Sequence, residues 1–240
     1  MVKLHLMRLN SPNTWAVERK EKQFIVRPMT TGQKIKYCLP LNIVLRDMLK
    51  VGKTTNEIKY ILNNNDILIN GKKRKEIKYP LGLFDVLDIK SLKESYRLLL
   101  DKKGKLMLVK ISGGEANLVL LKISKKSHIK GGKLQLSFTN GTTMLSEKVS
   151  DKQIKVNDVV VYDFVNHKVI DVLKLEKGNT IYLTGGQHVG SVVKIEGVKN
   201  NQIVFKTAAN ETFVTLLNYA FLIGKESSLI KTEIKTEDKK

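Results

Sequence analysis

The feature that most limits what this chain can form is the shortness and regular spacing of its apolar runs. From about residue 95 onward, short apolar runs recur, and glycine, asparagine and lysine separate them. Short runs that return about every 8–12 residues are typical of strands in small barrels and sandwiches. We therefore predict two successive small β units, joined near residues 174–178. The predicted strands are 98–100, 106–111, 118–123, 134–138, 159–164, 169–175, 180–183, 192–198, 203–205 and 213–216.

Residues 41–49 follow a different period, in which apolar side chains recur with the spacing of one helical face. Positions i, i+3, i+4, i+7 and i+8 lie on the same side of a helix. Those positions are filled by Leu41, Val44, Leu45, Met48 and Leu49. Pro40 fits the start of such a helix, and Gly52 fits its end. The pattern predicts one helix between these two residues.

A second helix and a hairpin are predicted directly after the first helix. Thr54 and Glu57 have the spacing of a capping box, in which each side chain satisfies a free backbone N–H at the start of a helix. The apolar run 67–69 is followed by Asn70-Gly71, two residues that tolerate positive φ and favour a tight hairpin turn. Together the two helices and the hairpin predict one compact unit of about fifty residues.

The charge of the chain predicts a polyanionic partner. There are 43 Lys+Arg against 23 Asp+Glu, a formal net charge of +20. The net charge is +14 over residues 1–110 and +6 over the remainder. Nucleic acid matches this excess, because neutralising phosphates releases condensed counterions. An anionic membrane is the alternative, but no run of about 18 apolar residues and no signal-peptide pattern occurs. We expect a soluble protein of the cytoplasm or nucleus.

Several kinds of chemical site are not supported by the sequence. The single cysteine, Cys38, cannot form an internal disulfide or a zinc site built on cysteine pairs. Residues 52–54 resemble the end of a phosphate-binding loop but lack its first glycine, and residues 185–190 lack the dinucleotide spacing. No nucleophile elbow occurs. We predict no catalytic residues, no metal, no cofactor and no small-molecule substrate.

Basic residues are concentrated on and around the two helices and the hairpin. If these elements pack together, the basic groups can share one face that matches an RNA backbone; the competing interpretation is an ordinary solvated charge run. The predicted RNA-binding residues of this region are Arg46, Lys50, Lys53, Thr54, Lys59, Lys72, Lys73, Arg74, Lys75 and Lys78.

The same residues resemble a known RNA-binding domain. The segment 45–49, the helix opening at 54–61 and the strand and turn at 67–72 resemble the S-four RNA-binding domain, whose pattern is R-x-D-x-x-L followed by a strand that ends in V-N-G. The run 86–89 resembles its closing strand. This domain occurs in ribosomal proteins, pseudouridine synthases and some tRNA synthetases, so the resemblance implies RNA binding.

Further motifs narrow the resemblance to one family. YCLPL at 37–41, YPLGLFDV at 79–86, IKVND at 154–158, and GN at 178–179 followed by TGG at 184–186 resemble the archaeal and eukaryotic (e-type) small-subunit ribosomal protein S-four family in order and spacing. The match extends over about residues 1–224. It implies an α+β, multi-domain protein: a small α/β S-four domain at 41–92, a central mostly-β domain at 93–174, and a C-terminal KOW-type β-barrel of Src-homology-like shape at 175–224.

Both ends of the chain are predicted to lie outside these domains. Residues 1–40 are basic and interrupted by proline and glycine, which predicts an extension that is loose until it orders on RNA. Lys3, His5 and Arg8 are predicted RNA contacts there. Trp15 is predicted to stack on a base, with packing against its own protein as the alternative. Residues 225–240 are predicted to form a charged tail.

One departure from the family pattern concerns the KOW loop. The family usually has a basic residue after the last glycine of this loop and a further glycine three positions on, whereas this chain has Ser191 and Val193. Contact between this loop and RNA is therefore an open question, and Lys194 is the residue predicted to replace the missing cation.

The resemblance implies a non-enzymatic, structural role. The expected function is to bind and stabilise folded rRNA in the small ribosomal subunit and so to support translation, with small-subunit rRNA and neighbouring ribosomal proteins as partners. The expected location is the cytoplasm, with nucleolar assembly if the source is eukaryotic. The alternatives are an RNA-modifying enzyme such as a pseudouridine synthase, for which the β regions look too short, and a KOW-bearing transcription factor that clamps polymerase.

Overall fold

The computed structural model describes residues 5–129, 133–145, 154–199, 201–207 and 211–232. Its chain divides into two compact units, one made of Met1–Leu99 with Lys105–Ala116 and the other of Leu100–Gly104 with Asn117–Lys240. Strands dominate both units, and the described α-helices all lie in the first one.

Within the described residues, the first unit contains three sheets together with α-, π- and 3-10-helical elements. A ribbon of β1 and β2 precedes a second pair, β3 with β6, and the five-stranded sheet has the order β5-β4-β7-β8-β9. The strands are β1 Leu6–Met7, β2 Phe24–Ile25, β3 Cys38–Pro40, β4 Ile67–Ile69, β5 Lys72–Lys73, β6 Pro80–Gly82, β7 Val86–Ile89, β8 Glu94–Leu100 and β9 Leu106–Ile111. The helical elements are α1 Leu41–Ile43, a π-helix Val44–Met48, α2 Thr55–Asn64 and 3-10 helices at Arg8–Asn10, Ile35–Tyr37 and Gly113–Asn117.

In the described part of the second unit there are two antiparallel five-stranded sheets and one 3-10 helix, Leu217–Tyr219. The first sheet has the order β12-β11-β10-β13-β14, with β10 Leu118–His128, β11 Leu134–Phe138, β12 Thr143–Leu145, β13 Val159–Asp163 and β14 Lys168–Leu173. The second has the order β18-β17-β16-β15-β19, with β15 Thr180–Leu183, β16 Val192–Lys199, β17 Gln202–Lys206, β18 Thr212–Leu216 and β19 Ala220–Gly224. Alternating side chains such as Ile203 and Phe205 fill its core.

The helices follow the sequence pattern with one difference. Thr54 caps α2 in a complete capping box with Glu57, as predicted. The first helix changes to π form after Ile43, and the Leu49 N–H donates to the Val44 carbonyl five residues back at 3.0 Å. It ends at Met48, and Lys50 takes the left-handed conformation with φ 54°. The predicted end at Gly52 is therefore wrong.

Gly52 has another role, which is to let α2 approach closely. A Cβ at this position would lie 2.9 Å from Ile58 Cδ1, a side chain that is fully buried. A side chain at this position would force the buried Ile58 to shift, so the glycine favours the close contact between the loop and the helix.

The segment before residue 41 is part of the first unit. Trp15 is fully buried, and its indole N–H donates to the Ile35 carbonyl at 3.2 Å. The Leu106 N–H on β9 donates to the Thr14 carbonyl at 2.7 Å. The prediction of a loose extension is wrong for these residues, because a buried tryptophan with a satisfied N–H stabilises the segment on its own protein.

The boundary predicted at residues 92 and 93 lies inside a sheet. Strand β8 pairs with β7 in antiparallel register, with Val86 opposite Arg97 and Ile89 opposite Glu94. Arg97 is buried, and its guanidinium donates to the Glu115 carboxylate at 3.1 Å and to the Glu115 carbonyl at 2.9 Å. Residues 94–99 and 105–111 of this hairpin belong to the first unit, and the domain boundary at residues 92 and 93 stays a prediction. The remaining predicted boundaries stay predictions.

A buried lysine holds the 3-10 helix of the second unit. Lys122 on β10 is 6% exposed, and its ammonium donates to the carbonyls of Ala220 at 2.7 Å, Leu217 at 3.3 Å and Asn218 at 3.5 Å. Burial lowers the pKa of Lys122 from 10.5 to about 8. Three backbone carbonyls thus hold the buried amine.

Candidate nucleic-acid interface

The predicted basic surface is built on the hairpin between β4 and β5. Asn70 and Gly71 form its turn with φ values of 49° and 75°, as the Asn-Gly pair predicts. The Asn70 side chain reaches away from the turn: its amide donates to Asp85 at 2.8 Å, and its oxygen accepts the Val86 N–H at 2.9 Å. The turn is therefore connected to β7 as well as to its own two strands.

Asp85 is the buried centre of this connection. Its carboxylate is 3% exposed and accepts hydrogen bonds from Asn70, from the Gln33 amide at 3.1 Å and from the Gly82 N–H at 2.8 Å. Burial raises the pKa of Asp85, and the three donors lower it in part. The Asp85 carboxylate thus holds the amides of Asn70 and Gln33 and the Gly82 N–H in place. Through Asn70 it fixes the turn of the hairpin.

The hairpin presents its basic run at the edge of the five-stranded sheet. Lys72 and Lys75 are exposed, as is the nearby Lys78. Lys73 is paired with Asp66 at 2.5 Å, which lowers the pKa of that carboxyl. Arg74 lies over the ring of Tyr79, 4.3 Å from its centroid. The hairpin therefore carries the cations of residues 72–78, and Arg74 is held by a cation–π contact with Tyr79.

The cations near the two helices differ in how free they are. Arg46 forms a bidentate pair with Asp47, at 2.7 and 2.9 Å. Lys50, Lys53 and Lys59 are exposed. The Lys53 N–H donates to Glu57 and lowers the pKa of that carboxyl. That these groups share a face with the hairpin stays a prediction.

Thr54 has a structural partner already. Its hydroxyl oxygen accepts the Glu57 N–H at 3.2 Å, which satisfies one of the free donors at the start of α2. The residue was predicted to contact RNA, and the structure assigns it the cap of the helix.

The predicted N-terminal contacts behave differently from the hairpin. Arg8 is buried, with its guanidinium bonded to the Glu18 carbonyl at 2.6 Å and to the Glu21 carboxylate at 2.7 Å. Arg8 and the buried Trp15 are therefore unavailable to RNA in this structure, and base stacking by Trp15 is wrong. The packing alternative for Trp15 is confirmed. His5 is exposed, and Lys3 lies outside the described residues.

A backbone hydrogen bond joins the two ends of the loop at 184–191. The Gly190 N–H donates to the Leu183 carbonyl at 2.8 Å, and a Cβ on Gly190 would lie 2.7 Å from the Asp101 backbone. Val193, which replaces the family's glycine, is 6% exposed and belongs to the core. Lys194 is exposed on β16, so its side chain is free to reach a partner.

Two exposed aromatic residues were not among the predicted site residues. Tyr60 is 71% exposed on α2, and Phe24 is 52% exposed on β2. Tyr60 had a signal, since it falls outside the apolar stripe that contains the buried Ile58 and Leu62. Phe24 had none, because a two-residue strand has no period of its own.

Within the described residues, no helix combines the length and apolar character that crossing a membrane requires. In the same part of the chain, no group of three or more His, Cys, Asp or Glu side chains is placed to hold a metal ion.

Comparison with known proteins first defines a class. A crystal structure of the 30S ribosomal protein S4e from Thermoplasma acidophilum matches with a TM-score of 0.68 and 30% identity, covering 81% of this chain and 99% of that one. The fold is therefore that of a mostly-β ribosomal protein.

Sequence comparison then gives the family. The family model described as Ribosomal family S4e matches residues 92–169. Small ribosomal subunit protein eS4 of Methanothermobacter thermautotrophicus is 36% identical over 232 residues, 94% of each chain, and that of Archaeoglobus fulgidus is 35% identical over 236 residues, 95% of this chain and 96% of its own. The chain belongs to the ribosomal protein S4e family, which consists of structural proteins and not enzymes.

Proposed function

We propose that this protein is a structural component of the small ribosomal subunit, where it binds and stabilises folded rRNA and supports translation. The observation that carries the proposal is the hairpin of residues 67–78: its exposed lysines stand on a turn that Asn70 and the buried Asp85 fix from below. The relatives named as small ribosomal subunit proteins support the location in that subunit. Its partners are small-subunit rRNA and neighbouring ribosomal proteins.

Binding on this surface is electrostatic and depends on shape. Lysine and arginine contact phosphates and fix the register of the protein on RNA. A duplex RNA groove gives side chains little sequence information, so surface shape matters more than base identity. Arg74 is suited to one phosphate, because its cation–π contact with Tyr79 positions the guanidinium before RNA binds.

The finer layout belongs to the same proposal. The S-four domain supplies the hairpin, the central β domain follows it, and residues 175–224 form a KOW-type small barrel. Support for the last comes from the antiparallel order β18-β17-β16-β15-β19, with a core that includes Ile195, Ile203 and Phe205. Lys194 is its proposed RNA contact. Replacement by alanine lowers rRNA affinity several-fold if this is right; unchanged affinity removes the barrel from the interface.

The first test is sedimentation of the native protein from gently lysed cells, with and without ribonuclease, at low and high salt. Co-migration with small subunits that ribonuclease abolishes is the expected result, and affinity for purified rRNA is expected to fall steeply with salt. Migration as a free protein, or with polymerase, contradicts the proposal.

The second test locates the surface. The double variant Lys72→Ala, Lys75→Ala is compared with Lys102→Ala, Lys103→Ala, which removes the same charge from an exposed turn elsewhere. We expect the first pair to weaken rRNA binding at least tenfold more than the second and to reduce the salt slope by about 1 to 2. Equal losses in the two variants indicate a general charge effect and contradict a specific surface.

A further inference from the structure

The ribbon of β1 and β2 has an unusual outward face. Leu6 pairs with the buried Ile25, while Met7 pairs with Phe24 on the other side. Met7 is 40% exposed and Phe24 is 52% exposed. Outward positions of a two-stranded ribbon are usually polar, since only one face packs on the protein. Here they carry a thioether and a phenyl ring.

His5 extends this apolar face into an aromatic one. Its imidazole meets the ring of Phe24 edge to face, with centroids 5.7 Å apart and planes at 85°. His5 directly precedes β1, and its contact with Phe24 places it beside the residue that pairs with Met7. The edge contact of His5 leaves a face of the exposed Phe24 ring for another planar group.

The charges around the ribbon favour an anionic partner. Lys22, whose side chain is 69% exposed, lies two residues before Phe24 in the chain. The neighbouring Glu21 is neutralised by the buried Arg8 at 2.7 Å, whereas it lies 3.9 Å from Lys22. Phe24 and Lys22 together suit one nucleotide. The base can stack on the Phe24 ring, and the Lys22 ammonium can contact the phosphate.

The size of the patch also favours a base over a protein. A stable protein interface needs about 800 Å² from each partner. Three adjacent side chains cannot supply this area, but they can cover the face of one unstacked base.

From these observations we propose that His5, Met7 and Phe24 form a stacking platform for one unpaired rRNA base, with Lys22 on the adjoining phosphate. The platform rests on the proposed rRNA-binding function and adds a second contact area, separate from the hairpin of residues 67–78. It reads no base identity, because every base has a π face.

The experiment uses the full chain and purified small-subunit rRNA at fixed salt. Phe24→Ala is expected to weaken binding on the order of tenfold without changing the salt slope, since no charge is removed. Phe24→Trp is expected to retain affinity, and its added fluorescence to be quenched when RNA binds. The control Ile170→Ala removes an equally exposed apolar side chain from β14 and is expected to bind normally. Emission of the buried Trp15 checks folding of Phe24→Ala.

The outcomes separate this proposal from the one on which it rests. Normal binding by Phe24→Ala, with binding still weakened by Lys72→Ala, Lys75→Ala, overturns the platform and leaves the proposed function. If Phe24→Ala binds purified rRNA normally but is missing from assembled subunits, a ribosomal protein covers Phe24. That result also overturns the platform. If no variant on either surface changes rRNA binding, the proposed function itself fails.

Discussion

The N-terminal segment of residues 5–40 and the hairpin of residues 67–78 are both basic, yet two arginines of the first and three lysines of the second are used in opposite ways. In the first, Arg8 and Arg19 bond to the protein's own carbonyls and side chains. In the second, Lys72, Lys75 and Lys78 are left exposed. The number of charges along the sequence does not show which cations bond to the protein itself and which stay exposed. The residue type is a better guide, because a planar guanidinium satisfies several acceptors at once and an ammonium is more strongly hydrated.

The largest expected effect tests whether the N-terminal segment belongs to the fold. Trp15→Ala removes a fully buried indole and its hydrogen bond to Ile35, so we expect a loss of about 3–5 kcal/mol in the free energy of unfolding, measured by urea denaturation. Leu9→Ala, at a 61% exposed position in the same segment, is the control and should change stability by less than about 0.5 kcal/mol. Equal stabilities would show the segment to be a loose extension after all.

The next effect concerns Lys122, a lysine that serves the fold. Its pKa is about 8 in the folded protein against 10.5 ordinarily, so the unfolded chain binds more protons between these values. Stability from this group is therefore lowest below pH 8 and rises by on the order of 3 kcal/mol as pH increases to 10.5. Loss of that rise in Lys122→Met is the expected result.

Two other groups oppose Lys122 at high pH, so only the difference between the protein and its variant is informative. Burial raises the pKa of Cys38 and of Tyr182 to about 12. Both stay protonated in the folded protein after they ionise in the unfolded chain, which lowers stability above about pH 9. Identical pH profiles for the protein and Lys122→Met would contradict the assignment.

A smaller effect is expected at Arg8. Arg8→Ala leaves the Glu18 carbonyl without its donor and removes the pair with the half-exposed Glu21, so we expect about 2 kcal/mol lower stability. The salt slope of rRNA binding should not change, because this guanidinium faces inward. Lys22→Ala is the matched control and should show the reverse pattern; a reduced salt slope in Arg8→Ala would place Arg8 at the RNA.

The smallest effect on stability is expected in the hairpin of residues 67–78, where substitutions should weaken rRNA binding most. Lys72→Ala, Lys75→Ala should leave the urea midpoint within about 0.5 kcal/mol of the original, since both side chains are exposed. Any change should be a slight gain, because the net charge falls. A loss of more than 1 kcal/mol would mean that the hairpin lysines serve the fold, and the contrast with the N-terminal segment would disappear.

Local signals in the sequence predicted local structure. The capping box of Thr54 and Glu57 and the Asn70-Gly71 turn are formed as predicted, because each depends on residues within a few positions. The family also followed from short motifs. The burial of Trp15, the pairing of β8 with β7 and the network of Asp85 were not predicted. Trp15 and Asp85 depend on Ile35 and Gln33, which lie 20 and 52 residues away, and no short pattern records such partners. Strands β7 and β8 are closer, with partners 5 to 11 residues apart, but no turn signal was recognised between them.

The candidate site was predicted only in part, because some of its features depend on local sequence and others on distant partners. Exposure of the hairpin lysines follows from a turn at a sheet edge, whereas the inward direction of Arg8 depends on Glu18 and Glu21 folding back over it. Residue counts could not show that Lys73 and Arg46 have acidic partners beside them.

The division of the chain into units has a consequence for its synthesis. Leu100 exchanges two hydrogen bonds with the hydroxyl of Tyr182, 82 residues further on. At about 5–20 residues per second, the ribosome takes roughly 4–16 s to make that distance. The first unit lacks only residues 105–116 when Leu100 emerges and is complete at Ala116. A nascent chain therefore has an interval in which the Leu100 N–H and carbonyl lack their hydroxyl partner, because the strand that carries Tyr182 has not yet been translated.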